Sequence, residues 1–76
     1  MKEFFDYIIK NIVDKPDDVN IQIVEGDNGT LIEVRVSPED VGKVVGRKGR
    51  IINSLRTIAL TVGARFDKRV RLELID

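Results

Sequence analysis

The 76-residue sequence contains no cysteine and no histidine. Without cysteine there is neither a disulfide framework nor a thiolate nucleophile. Without histidine the commonest general base is missing, and a zinc site is disfavoured. The P-loop spacing G-x-x-x-x-G-K-[ST] is also absent. These absences argue against an enzyme, and we expect neither a cofactor nor a bound metal.

Long apolar runs are absent as well, since no stretch approaches the roughly 20 residues that span a bilayer. The first residues include Glu3 and Asp6, where a signal peptide would be basic and then apolar. We therefore expect a cytoplasmic protein that does not interact with membranes. With 42% hydrophobic and 34% charged residues, the composition is that of a globular protein. The length suits a single domain over residues 1–76 with one small core.

Aromatic residues are scarce, at 5% of the chain. Phe4, Phe5 and Tyr7 lie in the first segment, where core packing is the expected role, and Phe66 is the fourth. No strand-like segment carries the pair of exposed aromatics with which an RRM sheet stacks bases. If the protein binds nucleic acid, stacking contributes little, and we expect one such domain to bind weakly.

The net charge is zero, but the charges are unevenly distributed. Residues 1–40 carry four basic and ten acidic side chains, a net charge of −6. Residues 41–76 carry nine basic and three acidic side chains, a net charge of +6. Binding of a polyanion depends on the local field more than on the total charge. The second half of the chain is therefore the place to look for a nucleic-acid site.

Apolar spacing in the first half predicts one helix and two strands. Residues 3–13 place apolar side chains at helical intervals, and Pro16 ends that helix. Alternation over residues 19–23, and again over residues 32–36, predicts two half-buried strands. Between them, residues 25–29 are dense in turn formers, so the two strands form a hairpin.

The second half of the sequence predicts two helices followed by a strand. Ser37, Pro38 and the two acidic residues after them predict the start of a short helix, with the acids at its positive end. A longer helix is predicted from about Gly49 to Val62, with Gly63 as its C-terminal cap. Alternation over residues 70–74 predicts the last strand.

These elements predict an α+β fold in two layers. The last strand follows a two-helix crossover, so it is expected to pair in parallel with the second strand and to complete a three-stranded mixed sheet. A right-handed connection places both crossover helices on one face of the sheet. The first helix is expected on the same face, with the other face open to solvent.

The two crossover helices are joined by Gly46-Arg47-Lys48-Gly49. Glycines let another backbone approach closely, and the following helix offers N–H groups and the positive end of its dipole. Arg47, Lys48 and the following Arg50 add positive charge. A bare Gly-x-x-Gly is weak support, because unliganded turns use it too. Between two helices of a strand–helix–helix–strand unit, it favours binding of a sugar-phosphate chain over a solvated turn.

Over its whole length the sequence resembles the KH domain in its type II arrangement, with the order α-β-β-α-α-β. The resemblance implies a groove that clamps about four nucleotides of single-stranded nucleic acid at the GXXG loop. The resemblance assigns RNA contact to the residues of the loop and to the apolar residues around it. For the apolar residues, simple packing in the core is the alternative role. The assigned residues are Gly46, Arg47, Lys48, Gly49 and Arg50, with Val41, Val45, Ile51, Ile52 and Leu55 around them.

The resemblance also implies a biological setting. It suggests an RNA chaperone or post-transcriptional regulator, acting as a homodimer or with a larger Jag-like KH protein. KH proteins of the kind that this sequence resembles are linked to the cell envelope, and the resemblance therefore implies a role in cell shape and cell wall biogenesis. A second hypothesis is a protein-interaction or ribosome-docking module that uses the KH scaffold without selecting RNA. Both loop cations are present, which argues against that alternative.

Two further clusters have open interpretations. Lys68, Arg69 and Arg71 either extend the electrostatic track or form the charged outer face of a strand. Ile58 and Leu60 on the long helix form a candidate dimer face, although isolated exposed leucines are common.

Overall fold

A computed structural model describes residues 1–75 of the chain. Its helices are α1 (Lys2–Lys10), α2 (Val41–Val45) and α3 (Arg50–Arg65), and its strands are β1 (Asn20–Gly26), β2 (Gly29–Arg35) and β3 (Val70–Leu74). Single 3-10 turns cover Pro16–Asp18, Pro38–Asp40 and Arg47–Gly49. The predicted order of elements is confirmed. Within residues 1–75, no helix is long and apolar enough to cross a membrane.

The three strands form one mixed sheet in the order β1-β2-β3. Strands β1 and β2 pair antiparallel, and β2 and β3 pair parallel, as predicted. The hairpin turn is shorter than the predicted five residues, because pairing continues to Gly26 opposite Gly29. Gly29 has φ 141°, and an added Cβ would lie 2.4 Å from the Arg69 carbonyl oxygen. The hairpin therefore meets the start of β3 where only glycine fits.

The core lies between the helices and one face of the sheet. The sheet supplies alternating side chains that are at most 3% exposed, namely Ile21, Ile32, Val34, Val70 and Leu72. The helices supply Phe5, Ile9, Val44, Ile52, Leu55 and Ala59. On the opposite face of the sheet, Gln22, Arg35 and Arg71 are exposed. The predicted two-layer α+β fold is confirmed.

The expectation that all three aromatics of α1 pack in the core was wrong. Phe5 is fully buried, whereas Phe4 is 48% and Tyr7 71% exposed. Helix α1 has nine residues and buries a single stripe, which passes through Phe5 and Ile9. At 100° per residue, Phe4 and Tyr7 point away from that stripe.

The predicted end of α3 was also wrong, because the helix continues past Gly63 to Arg65. Gly63 is buried against β3, and an added Cβ would lie 2.5 Å from Val70 Cγ2 and 2.7 Å from the Lys68 carbonyl oxygen. The residue that adopts the left-handed conformation after the end of α3 is Asp67, with φ 55°. Lys68 N donates to the Gly63 carbonyl and Asp67 N to that of Ala64, which is a Schellman motif.

We predict that Asp67→Gly stabilises the domain. Glycine adopts the left-handed conformation without the steric penalty of a Cβ, and the substitution removes a negative charge from the negative end of α3. The expected gain is about 0.5–1 kcal/mol, seen as a melting temperature a few degrees higher. Asp67→Ala is the control, since it removes the charge and keeps the Cβ. If the glycine variant melts no higher than the alanine variant, the backbone explanation fails.

Candidate nucleic-acid interface

Helix α2 is anchored at its start by a buried carboxylate. Asp40 is 1% exposed, and its oxygens accept hydrogen bonds from Asp14 N at 3.2 Å and Lys15 N at 2.9 Å. Ser37 Oγ accepts from Glu39 N at 3.4 Å, as expected for a cap. The sequence suggested that Asp40 favours the positive end of its own helix. Its side chain instead ties α2 to the segment after α1, 25 and 26 residues earlier in the chain.

Two exposed ion pairs cross the same junction. Lys15 Nζ lies 2.8 Å from Glu39 Oε2, and Lys43 Nζ donates to the Asp14 carboxylate. That hydrogen bond raises the pKa of Lys43 above its ordinary value. Because these groups are solvent-exposed, the pairs add little stability. Their effect on the surface is to neutralise Lys43, the basic residue of α2.

The loop after α2 has a backbone that requires glycine at its first position. Gly46 has φ 77° and ψ 174°, and an added Cβ would lie 2.6 Å from Ile51 Cγ1. Gly49 has φ 74°, but an added Cβ would come no closer than 3.6 Å, to Asn53 Nδ2. Gly49 N donates to the Gly46 carbonyl at 3.1 Å, which closes the turn. The first glycine is thus needed for conformation and space, the second for conformation alone.

Between the glycines, Lys48 is itself left-handed, with φ 58° and ψ 25°. A left-handed residue that is not glycine is strained, and such residues are concentrated at functional sites. Left-handed residues after a right-handed one turn successive N–H groups toward one point, which forms a concavity for an anion. Helix α3 begins next with Gly49 as its N-cap and no capping side chain. Arg50 N donates within the turn to the Arg47 carbonyl, so only the N–H groups that follow it at the start of α3 can serve an anion.

The cationic side chains in and next to this loop are exposed and form no ion pairs within residues 1–75. Arg47, Lys48 and Arg50 are all exposed, and within residues 1–75 none of them forms an ion pair. In the second basic cluster, by contrast, Lys68 Nζ lies 3.5 Å from Glu25 Oε1, and Arg71 Nη2 lies 2.9 Å from Glu73 Oε1. The loop therefore combines three exposed cations without ion-pair partners in residues 1–75 with the start of a helix.

Apolar surface borders the loop. Val41 and Val45 on α2 are half-buried, and Ile51 on α3 is 37% exposed. Ile52 and Leu55, which the resemblance also assigned to the groove, are 5% and 3% exposed and belong to the core. The accessible apolar lining beside the loop is thus Val41, Val45 and Ile51. Contact of these residues with RNA stays a prediction.

The second basic cluster lies at the other end of α3. This helix has 16 residues and is about 24 Å long, since an α-helix rises about 1.5 Å per residue. Lys68 is hydrogen-bonded at its C-terminal end, and Arg71 lies on the solvent face of the sheet. The two basic clusters are therefore separate surfaces. Of the candidate dimer face, Ile58 is half-buried and Leu60 is 54% exposed.

Three helices on one face of a mixed sheet, with a Gly-x-x-Gly turn between the two crossover helices, define the type II KH fold. The sequence profile described as "KhpA/KhpB, KH domain" matches residues 2–74, and the chain belongs to this family.

Curated relatives match over nearly the full chain. The "RNA-binding protein KhpA" of Borreliella burgdorferi is 43% identical over 74 residues, which cover 97% of this chain and 90% of that protein. Its namesake in Clostridium perfringens is 43% identical over 75 residues, covering 99% and 100%. The Aquifex aeolicus protein of the same name is 40% identical over 76 residues, covering 100% and 96%.

Proposed function

We propose that this protein binds single-stranded RNA at the Gly46–Gly49 loop and catalyses no reaction. The observation that carries the proposal is the loop itself, where three exposed cations without ion-pair partners in residues 1–75 surround a left-handed turn and an uncapped helix start. Relatives at about 40% identity or more are named RNA-binding proteins, which supports the same conclusion.

The bound strand is expected to run along the loop with its phosphates toward the cations. About four nucleotides fill a KH groove, and their bases face the apolar lining of Val41, Val45 and Ile51. Bases that are paired in a duplex cannot contact this apolar lining, so the site is expected to prefer single strands. The KH resemblance supports a role as RNA chaperone or post-transcriptional regulator, with an effect on cell shape and cell wall biogenesis.

A salt titration tests the binding mode. Three or four phosphate contacts on a single strand predict a log–log slope of affinity against salt of about −2 to −3. We expect this slope in a fluorescence titration with a short single-stranded RNA between about 50 and 200 mM salt. A duplex of equal length is the control and is expected to bind more weakly. Equal or tighter binding of the duplex contradicts the groove, and absence of RNA binding favours a scaffold that docks on proteins.

Helix α3 carries the proposed assembly surface. Leu60 is 54% exposed, and Phe66 just beyond the helix is 65% exposed. Large apolar side chains in such positions are available to a partner chain. We propose that the exposed surface around Leu60 on α3 serves self-association or pairing with a larger Jag-like KH protein.

Leu60→Asp is expected to convert a dimer into a monomer without unfolding it, because the side chain is already largely in solvent. Light scattering measures the mass, and circular dichroism checks the fold. Tyr7→Asp is the matched control, since it introduces the same charge at an exposed site on α1. The proposal is wrong if the unmodified protein is monomeric at high micromolar concentration, or if only the Tyr7 variant dissociates.

A further inference from the structure

The two outer edges of the sheet differ in what occupies them. At the outer edge of β3, the Leu72 carbonyl accepts a hydrogen bond from Arg56 Nε of α3 at 3.3 Å. At the outer edge of β1, no side chain or loop within residues 1–75 hydrogen-bonds to the main chain of residues 21–25. One edge is therefore protected by a helix side chain, and the other is open.

Hydrogen bonds between β2 and the β3 side show which groups of β1 are open. Thr30 N donates to the Arg69 carbonyl at 2.8 Å. The Val34 carbonyl accepts from Ile75 N, also at 2.8 Å. Both main-chain groups of a strand residue point to the same side, and that side alternates along the strand. The β1 residues opposite Thr30, Val34 and the residue midway between them therefore point their N–H and C=O groups away from the sheet, and these are Ile21, Ile23 and Glu25.

Strand β1 lacks the features by which exposed edges usually avoid pairing. It has seven residues and pairs with β2 along its whole length without a bulge. It contains neither lysine nor proline. Val24, on the face opposite the core, is 47% exposed. Such an edge can accept an extended segment of another chain, which adds to the sheet through main-chain hydrogen bonds.

The charges at the two ends of β1 indicate the chemistry of that segment. Asp17 and Asp18 lie before the strand, and Asp27 lies after it. All three are exposed, and none forms an ion pair within residues 1–75. An antiparallel pair of two copies of β1 would place the start of one strand against the end of the other, and so acid against acid. This repulsion disfavours a second copy, whereas a segment with basic ends is complementary.

We infer that the open edge of β1 binds an extended segment of another protein, in which about five residues rich in β-branched side chains are flanked by lysine or arginine. The central residues pair with the outward main-chain groups of β1 and cover Val24. The basic ends lie near the acids at residues 17–18 and 27. Helix α1 packs on β1 and α3 on β3, so this edge is separate from the Gly46–Gly49 loop. The inference is independent of the proposed RNA binding.

The experiment titrates isotope-labelled protein with the end-capped synthetic peptide Lys-Arg-Val-Thr-Val-Thr-Val-Arg-Lys. The amide resonances of Ile21, Ile23 and Glu25 are expected to shift most, and their hydrogen exchange is expected to slow. Two control peptides are measured in parallel. One has aspartate or glutamate in place of every basic residue, and the other is N-methylated at its five central residues. Both are expected to bind at least tenfold more weakly, since the first repels the acidic ends and the second cannot form the ladder.

Two protein variants test the same contacts from the other side. Glu25→Pro removes an outward N–H group and leaves the ladder to β2 intact. Glu25→Ala is its matched control, because it removes the same side chain and keeps the N–H group. The proline variant is expected to bind the basic peptide about tenfold more weakly than the alanine variant. Asp17→Lys/Asp18→Lys is expected to weaken binding of the basic peptide about tenfold and to strengthen binding of the acidic one.

Several results would overturn the inference. These are no binding of the basic peptide at millimolar concentration, equal binding of the acidic or the N-methylated peptide, and resonance shifts that lie outside residues 17–27. The N-methylated peptide keeps the test decisive if Glu25→Pro does not fold. Light scattering of the protein alone tests a second copy as the occupant. A dimer that Glu25→Pro converts into a monomer, while Glu25→Ala does not, would show that the edge pairs with itself and that the basic segment is wrong.

Discussion

Replacement of both Arg47 and Lys48 by aspartate is expected to abolish RNA binding and leave the domain folded. Both side chains are exposed and form no ion pair within residues 1–75, so each change is expected to shift stability by within about 0.5 kcal/mol. Aspartate also tolerates the left-handed conformation that Lys48 adopts. Two attractive charges become repulsive where the phosphates pass, so affinity is expected to fall by about two orders of magnitude or more.

The matched control reverses two charges in the other basic cluster, as Lys68→Asp/Arg69→Asp. This variant changes the net charge by the same amount at the far end of α3. It is expected to lower RNA affinity only slightly, through the long-range field. If the loop variant melts normally and binds like the unmodified protein while the control does not, the site lies at residues 68–71.

Ile52→Asp is expected to unfold the protein. Ile52 is 5% exposed and packs in the cluster that includes Val44 and Leu55. A carboxylate at this position has no buried partner, and its desolvation costs several kcal/mol, comparable with the roughly 5 kcal/mol that stabilise a small domain. Circular dichroism is expected to show loss of helix at room temperature.

Ile51→Asp is the control for that prediction, because it makes the same change one residue earlier at a site that is 37% exposed. We expect the Ile51 variant to fold and to bind RNA more weakly, since the charge enters the apolar lining beside the loop. A folded Ile52 variant with an unchanged melting temperature would show that residue 52 does not serve the core as described.

Local periodicity was sufficient to predict most of the fold. The stripe through Phe5 and Ile9, and the alternation of Ile32 with Val34, are determined by which side chains one element can bury. The parallel pairing of β3 with β2 followed from the intervening two-helix crossover. The glycine loop was recognised because its residue types lie next to one another in the sequence.

Features that depend on contacts between distant segments were missed. The sequence around Gly63 predicts a helix cap, because nothing near it in the sequence shows that Val70 and Lys68 pack against it. The sequence predicts that Asp40 serves its own helix end, because its partners, the N–H groups of Asp14 and Lys15, belong to a segment that precedes the hairpin in the chain. Such contacts form only in the folded chain.

The most direct test of the site is an NMR titration of isotope-labelled protein with a single-stranded RNA of about four to six nucleotides. Amide resonances of residues 41–51 are expected to shift most, with the largest changes at Arg47, Lys48 and Gly49. Resonances of the hairpin residues 25–30 and of residues 68–71 are expected to change little. Shifts confined to those two regions, with the loop unchanged, would contradict the assignment of RNA binding to the Gly46–Gly49 loop.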